Sequence, residues 1–363
     1  MTQLFSEIRR TPLLWLLVFV PIVFIGEHIW PEAHTRLFLL SILAIVPLAA
    51  LLSRATESVA ERTGDAVGGL LNATLGNLTE LVIALTALQA GEYLLVKASI
   101  AGAIVTNTLF MLGGSFLLGG LRHHVQEFNR VNVRLQATLM FLATVALLVP
   151  SAIGEADRLP TTSFTQPLSA GIAGILIVAY GLGMAFSLRT HRELFSSTPH
   201  EEGEGTPWPL ATSMVTLAVV TLLVALVSEI FVASVQMAAA DLGMTPAFVG
   251  FVVVALVGGA AEMITAFSAA RKDRLDLSVG IALGSAVQIA LFVAPLLVLL
   301  SYVVGPEPMG LQFWPGAVVM MLIATIAASL VANGGRSAWF TGVMLLMVYA
   351  IFGLTLFLLP PGL

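Results

Sequence analysis

The chain has 363 residues, of which 58% are hydrophobic and only 10% charged, and its mean hydropathy is +0.98. A soluble domain carries about 25% charged residues, so this composition excludes a soluble enzyme or scaffold and places the chain in a bilayer. The formal charge of −5 is too small to imply a polyanionic or polycationic partner such as nucleic acid, and the absence of cysteine excludes disulfides and thiolate metal sites.

A helix that crosses the bilayer needs about 20 mostly apolar residues. In chain order the sequence offers eleven such segments: roughly 12–30, 36–53, 66–89, 94–120, 133–152, 165–188, 209–235, 246–270, 277–303, 312–332 and 338–360. The first follows Arg9 and Arg10 but is longer than a signal-peptide core, and no small-residue cleavage site follows it; it is expected to be retained. Residues Thr56 to Arg62 form an amphipathic lead expected to extend the third segment into the interface. His123, His124 and Glu127 fall in the connection after the fourth segment. They lack metalloprotease spacing and are expected to be solvated. The longest polar stretch, 189–209, carries Glu193, Glu201, Glu202 and Glu204 and is expected to be a solvated acidic linker.

Lysine and arginine positions support this count. With the N-terminus in the cytoplasm, thirteen of the sixteen basic residues fall inside, and only Arg36, Lys97 and Arg158 fall outside. The linker then divides the chain into 1–35 (a first transmembrane helix), 36–188 (repeat 1, segments 2–6), 189–209 (the linker) and 210–363 (repeat 2, segments 7–11). Five is odd, so the repeats enter the membrane from opposite sides. The expected fold is an all-α polytopic membrane protein with one extra helix and two inverted five-helix repeats.

Each repeat carries one glutamate within an apolar run. Gly76-Asn77-Leu78-Thr79-Glu80 in the first repeat matches Gly258-Gly259-Ala260-Ala261-Glu262 in the second. Gly102 follows Glu80 by the same 22 residues as Gly284 follows Glu262. On antiparallel helices related by a two-fold axis in the membrane plane, the two carboxylates would face each other near the midplane. An ionised carboxylate at that depth costs about 3 kcal/mol or more, and no Lys or Arg is expected inside a span to offset it. The pair must therefore be protonated or bound to a cation. Two carboxylates match the charge of one divalent ion, and hard cations such as Ca²⁺ take oxygen ligands. Asn77, Thr106, Asn107, Ser285 and Gln288 would supply neutral oxygens beside Glu80 and Glu262.

These segments resemble the CAX family of Ca²⁺/H⁺ exchangers, within the Ca²⁺/cation antiporter superfamily. The resemblance is carried by Gly68-Gly69-Leu70-Leu71-Asn72-Ala73-Thr74-Leu75-Gly76-Asn77-Leu78-Thr79-Glu80. In the second repeat it is carried by Val257 to Glu262, Lys272 to Leu277 and Gly280 to Val293. It implies a 1 + 5 + 5 arrangement that exports cytosolic Ca²⁺ against inward H⁺, with Ca²⁺ and H⁺ as transported ions, no cofactor, and the lipid bilayer as surroundings. It also implies the cytoplasmic membrane of a prokaryote as location and leaves a homo-oligomer open. Glu57 and Glu229 would lie on the proton or cation path. Two departures stand out: the family usually has Asn at the place of Gly259, and often an acid near Gln236. The readings set beside it are a Na⁺-coupled or other divalent cation exchanger of the same superfamily, and a cation channel. An intramembrane enzyme is disfavoured by the lack of a Ser–His pairing, an HExxH motif or an intramembrane histidine.

Overall fold

The computed structural model describes residues 8–9, 11–63, 65–156, 162–191 and 208–359. Its helices follow the expected segments one for one. In chain order they are α1 (Pro12–Ile29), α2 (His34–Arg62), the pair α3 (Asp65–Leu75) and α4 (Leu78–Gln89), α5 (Tyr93–His123), α6 (Arg130–Ala156), α7 (Thr165–Thr190), α8 (Leu210–Asp241), the pair α9 (Pro246–Gly258) and α10 (Ala260–Arg271), α11 (Leu275–Leu300), α12 (Pro315–Gly334) and α13 (Trp339–Leu358). Among the described residues nine unbroken helices are long and apolar enough to cross a membrane, and α9 with α10 makes a broken tenth, bent by 60°. The remaining segment, the third in chain order, is divided at Gly76 and Asn77 into α3 and α4. The fold is an all-α polytopic membrane protein built from one extra helix and two inverted repeats.

The inversion is visible in how α2 meets α8. The hydroxyl of Thr35, at the start of α2, donates to the Asp241 carboxylate at the end of α8 at 2.6 Å, so the two helices run antiparallel. They pack along their length, with Phe38 stacked on Phe231 at a centroid distance of 5.2 Å. Outward-facing apolar side chains such as Ile175, Val178 and Leu182 on α7, or Ile351 and Leu354 on α13, are exposed, as expected where lipid is the solvent. Hydroxyl pairs join helices inside the bundle: Thr144 with Thr325 at 2.7 Å, and Ser278 with Ser115 at 2.6 Å. Each such bond contributes about 0.6 kcal/mol.

Three expectations change. Residues 56–62 continue α2 rather than leading into the third segment, because Ala55, Thr56, Ser58 and Val59 are buried and extend its packed face. Arg54 therefore lies within α2, and Lys97 lies within α5, so the spans are not free of basic residues. Third, the connection after α5 is not a plain solvated loop. It contains β1 (Val125–Glu127), which pairs antiparallel with β2 (Arg336–Ala338). There Glu127 accepts from Arg336 at 2.6 and 2.8 Å, and His123 contacts the Arg271 carbonyl at 3.1 Å. The strand forms because the alternating Val125-Gln126-Glu127 buries Gln126, whose amide donates to the Ala270 carbonyl and to Asp273 at 2.9 and 2.8 Å. This sheet marks the arginine-rich end of the bundle. Arg158 and the linker acids Glu193, Glu201, Glu202 and Glu204 lie outside the described residues.

Candidate cation-binding site

Both glutamates sit in the first turn after a helix break. Asn77 precedes α4 and Gly259 precedes α10, which puts Glu80 and Glu262 at matching positions near positive helix ends. At such a terminus the first backbone N–H groups have no intrahelical partner, so broken helices inside a membrane persist only where they line a polar site. Glycines bring the breaks together. A Cβ on Gly102 of α5 would collide with the backbone of Phe251 on α9, so the two helices touch backbone to backbone there. A Cβ on Gly258 would lie 3.0 Å from Glu80 Cγ, so the first repeat's glutamate rests against the second repeat's break. The two carboxylates are close enough for Glu262 to feel the charge of Glu80.

A chain of neutral polar groups surrounds them. Asn77 Nδ2 donates to Gln288 Oε1 at 2.5 Å, and Ser285 Oγ donates to Asn77 Oδ1 at 2.6 Å. Asn107 Nδ2 donates to Ser285 Oγ at 2.8 Å, and Ser285 also reaches Glu262. These are cross-repeat contacts: Asn77 and Asn107 belong to repeat 1, Ser285 and Gln288 to repeat 2. All but Gln288 of the four are nearly inaccessible, at 2% (Asn77), 1% (Asn107) and 4% (Ser285) exposure. At about 0.6 kcal/mol each, three such bonds do not offset two ionised carboxylates that cost about 3 kcal/mol apiece. Among the described residues no arginine or lysine pairs with either one, and Glu262 Oε2 is buried without a hydrogen-bond partner. A proton or a cation fits that deficit.

A cavity of about 330 Å³ leads to Glu262 from the arginine-rich end. Its lining includes Ser53 and Glu57 of α2, Asn72 and Gly76 by the first break, Asn129, Asn132 and Gln136 at the start of α6, Thr265 of α10, and Asp276, Gly280, Gly284, Ser285 and Gln288 of α11. On the opposite approach lies a pocket of about 20 Å³, where Glu80 and Ser99 meet Ala84, Ile100, Ala103, Val254 and Ile289.

The structure thus brings together Glu80, Glu262, Asn77, Asn107, Ser285 and Gln288. Thr106 lies next to them in sequence, but its hydroxyl is bonded to the Tyr349 hydroxyl of α13 at 3.0 Å. Glu57 is on the cavity wall, 3.5 Å from Arg54 and from Ser53. Glu229 is exposed on α8 and outside the cavity lining. Gln236 donates to both Glu92 oxygens, at 2.6 and 2.7 Å, near the opposite end. Sequence reasoning missed Asn129, Asn132, Gln136, Thr265 and Asp276. A signal was present for the last: Asp276, Gly280, Gly284 and Gln288 recur every fourth residue, a polar and small stripe on one helix face.

Comparison with known proteins gives a consistent picture. The sodium/calcium exchanger protein family model matches residues 34–189 and again 212–358, one match per repeat. The Ca²⁺/H⁺ antiporter of Aphanothece halophytica is 39% identical over 97% of this chain and 98% of its own length. The Ca²⁺/H⁺ antiporter ChaA of Bacillus subtilis (strain 168) is 38% identical over 94% and 97%. Among solved structures, native YfkE superposes with a TM-score of 0.81 at 34% identity, covering 95% of this chain and 98% of YfkE. The H⁺/Ca²⁺ exchanger CAX shares the fold at a TM-score of 0.77 and 17% identity, covering 97% of this chain and 88% of CAX.

Proposed function

We propose, from the premise that this chain belongs to the sodium/calcium exchanger protein family and to its Ca²⁺/H⁺ antiporters, that it carries Ca²⁺ out of the cytoplasm in exchange for H⁺ through a site built on Glu80 and Glu262. The N-terminus and the arginine-rich end face the cytoplasm, in keeping with the distribution of basic residues. The membrane is the cytoplasmic membrane of a bacterium, and the whole chain, 1–35 with repeats 36–188 and 210–363 around the linker, forms the transport unit.

The observation that carries this reading is the pair of glutamates at matched helix breaks, with no arginine or lysine partner among the described residues. Ca²⁺ enters through the cavity, passing Asp276 and the amides of Asn132 and Gln136. It then exchanges water for the oxygens of Glu262, Glu80, Asn77, Asn107, Ser285 and Gln288, while Thr106, bonded to Tyr349, stands behind this shell. Protons take the same carboxylates, because the Ca²⁺ form needs both ionised and the proton form needs neither. The two loaded states are close to neutral, whereas the empty ionised pair is not, so only loaded forms cross at low cost. Glu57 on the inner approach and Glu229 on α8 serve proton or cation entry.

The test is ⁴⁵Ca²⁺ uptake into proteoliposomes with and without an imposed pH gradient, with Na⁺ present or absent. Uptake that follows the pH gradient and ignores Na⁺ is expected. Uptake driven only by Na⁺, or insensitive to both gradients, would overturn the assignment.

A further inference from the structure

The helices α5 and α11 both depart from α-helical winding beside the glutamates. A shift of 182 positions carries Glu80 onto Glu262, Gly102 onto Gly284 and Phe110 onto Phe292. Under the same shift the π-helical turn Thr106–Met111 of α5 coincides, to within one residue, with the π-helical turn Ile289–Val293 of α11. A π turn takes in one residue more than an α turn and is rare, so it lasts only where its surroundings hold it.

Each of these turns is met by a tyrosine from the last helix of the other repeat. Tyr349 of α13 lies against Phe110 with ring centroids 5.2 Å apart, and Tyr180 of α7 lies against Phe292 at 5.3 Å. Both tyrosines are nearly inaccessible, at 7% and 8% exposure. They are 169 positions apart rather than 182, so the contact recurs in space and not through the sequence register. The two turns differ at their start. The Tyr349 hydroxyl shares a hydrogen bond with Thr106 at 3.0 Å, whereas the shift puts Gln288 in the place of Thr106, and Gln288 accepts from Asn77 instead. Tyr349 therefore touches both the first and the fifth residue of the α5 turn. Between these two anchors, Asn107 donates to Ser285 at 2.8 Å. Phe110 also meets Phe267 of α10, five residues beyond Glu262, at a centroid distance of 6.4 Å. The seat of α13 is fixed by glycines. A Cβ on Gly342 would collide with the Gly113 carbonyl, and one on Gly120 with the backbone of Trp339, so α13 and the second half of α5 lie backbone to backbone.

We propose that Tyr349 is a positioning residue for the cation site: bonded to Thr106 and packed on Phe110, it holds the π turn of α5 in register without touching the ion. The inference rests on the Ca²⁺ site proposed above and assigns Thr106 to the brace behind that site. An α-helix turns by about 100° per residue. Absorbing the extra residue of the π turn would swing the residues on one side of it by about that angle, and would part Asn107 from Ser285.

The experiment is a double-mutant cycle on equilibrium ⁴⁵Ca²⁺ binding to purified full-length protein in detergent, with folding checked by size exclusion and by thermal unfolding without Ca²⁺. Tyr349→Phe keeps the ring and removes the hydroxyl; Thr106→Val keeps the shape and removes the other hydroxyl. Each should weaken Ca²⁺ binding by about threefold to tenfold, the worth of one hydrogen bond between membrane helices. Together they should be no more than about twofold worse than the stronger single variant, because both break the same bond. Thr106→Ser, which restores a hydroxyl, should recover most of the affinity lost in Thr106→Val. It reads the same bond from the other side, so the test stands even if Tyr349→Phe folds poorly. Losses that multiply in the double variant would make Thr106 a ligand in its own right and overturn the proposal. A Tyr349→Phe protein that melts earlier but binds Ca²⁺ as wild type does would make the residue merely structural, and also overturns it. Glu80→Gln separates the two levels of argument. Wild type that binds no Ca²⁺, or Glu80→Gln that binds it normally, removes the site itself; loss in Glu80→Gln with no effect at Tyr349 or Thr106 removes only the brace.

Discussion

The two approaches to the glutamate pair are built on one backbone plan but differ in side chains. From the arginine-rich end, the cavity of about 330 Å³ is lined with carboxylates, amides and hydroxyls. From the other end, the pocket of about 20 Å³ offers only Ser99 beside Glu80, among alanine, valine and isoleucine. The repeat relation makes the contrast specific. The 182-position shift pairs Asn72 with Val254, Ile83 with Thr265, Leu94 with Asp276, and Ala103 with Ser285, the polar member facing the cavity each time. The two repeats supply the site with two matched carboxylates, and their differing side chains give it one polar approach and one apolar one. A cation sheds water stepwise along a polar wall, whereas an apolar passage excludes it until the helices separate. The difference predicts that Ca²⁺ waits on the arginine-rich side and leaves quickly on the other.

The largest effect comes from breaking what the two halves share. Glu80→Gln or Glu262→Gln keeps the shape but removes the charge, and either should reduce Ca²⁺ uptake to background, more than about 100-fold, while the protein still folds. Uptake near the wild-type rate in either variant would remove the equivalence on which the comparison rests.

Much of this was legible in the sequence because the membrane imposes a coarse grammar. All eleven segments, the inverted plan and both glutamates could be read from apolar length, arginine placement and a repeated motif. The helix breaks at Gly76–Asn77 and Gly259 were not specified by hydropathy, and neither was the backbone contact of Gly102 with Phe251 that packs α5 against α9. The cavity wall was also hidden, since Asn132 and Gln136 on α6 come near Asp276 on α11 only through tertiary packing. Thr106 shows the opposite failure. Its position beside Asn107 suggested a ligand, but the π-helical stretch Thr106–Met111 turns its hydroxyl towards Tyr349, a partner 243 residues away.

Proton competition sharpens the shared part of the site. If Ca²⁺ and H⁺ use the same two carboxylates, each proton displaced on binding makes apparent affinity fall about tenfold per pH unit as pH is lowered. The sign is fixed: acid favours the protonated pair and weakens Ca²⁺. Calorimetric titration between about pH 5.5 and 8.5 should show this in wild type, with a shallower slope in Glu262→Gln. A flat wild-type profile would rule out the shared site even if both glutamates proved essential.

The contrast between approaches can be tested by accessibility, because the chain contains no cysteine. A single cysteine at Thr265, on the cavity wall, should react rapidly with a membrane-impermeant maleimide from the arginine-rich side. One at Ser99 should react slowly from the opposite side. The closed side is held by Gln236 donating to both Glu92 oxygens, and by the Tyr93 hydroxyl exchanging hydrogen bonds with the Glu307 backbone at 2.7 Å. Gln236→Ala should therefore speed Ser99→Cys labelling by about threefold to tenfold, the worth of one or two hydrogen bonds to a charged group near the surface. Fast labelling of Ser99→Cys in the unmodified background would contradict the closed apolar approach.

The smallest expected effect is also the most discriminating, and it concerns the two remaining acids. Glu57 lines the wet cavity, held by Arg54 and Ser53. Glu229 lies outside that lining, exposed on the face of α8 that two turns further on presents Gln236 to Glu92. If each acid serves the approach on its own side, neither is part of the shared site, and replacing it should slow exchange by only about threefold to tenfold. The effect should also be sided. Glu57→Gln should alter how the rate responds to pH on the arginine-rich side and leave the response on the other side intact; Glu229→Gln should do the reverse. Vesicles of defined orientation, with inner and outer pH varied separately, give the measurement. Two variants that alter the response on the same side would mean that α8 contributes to the wet approach after all, and the polar and apolar halves would no longer map onto the two faces of the membrane.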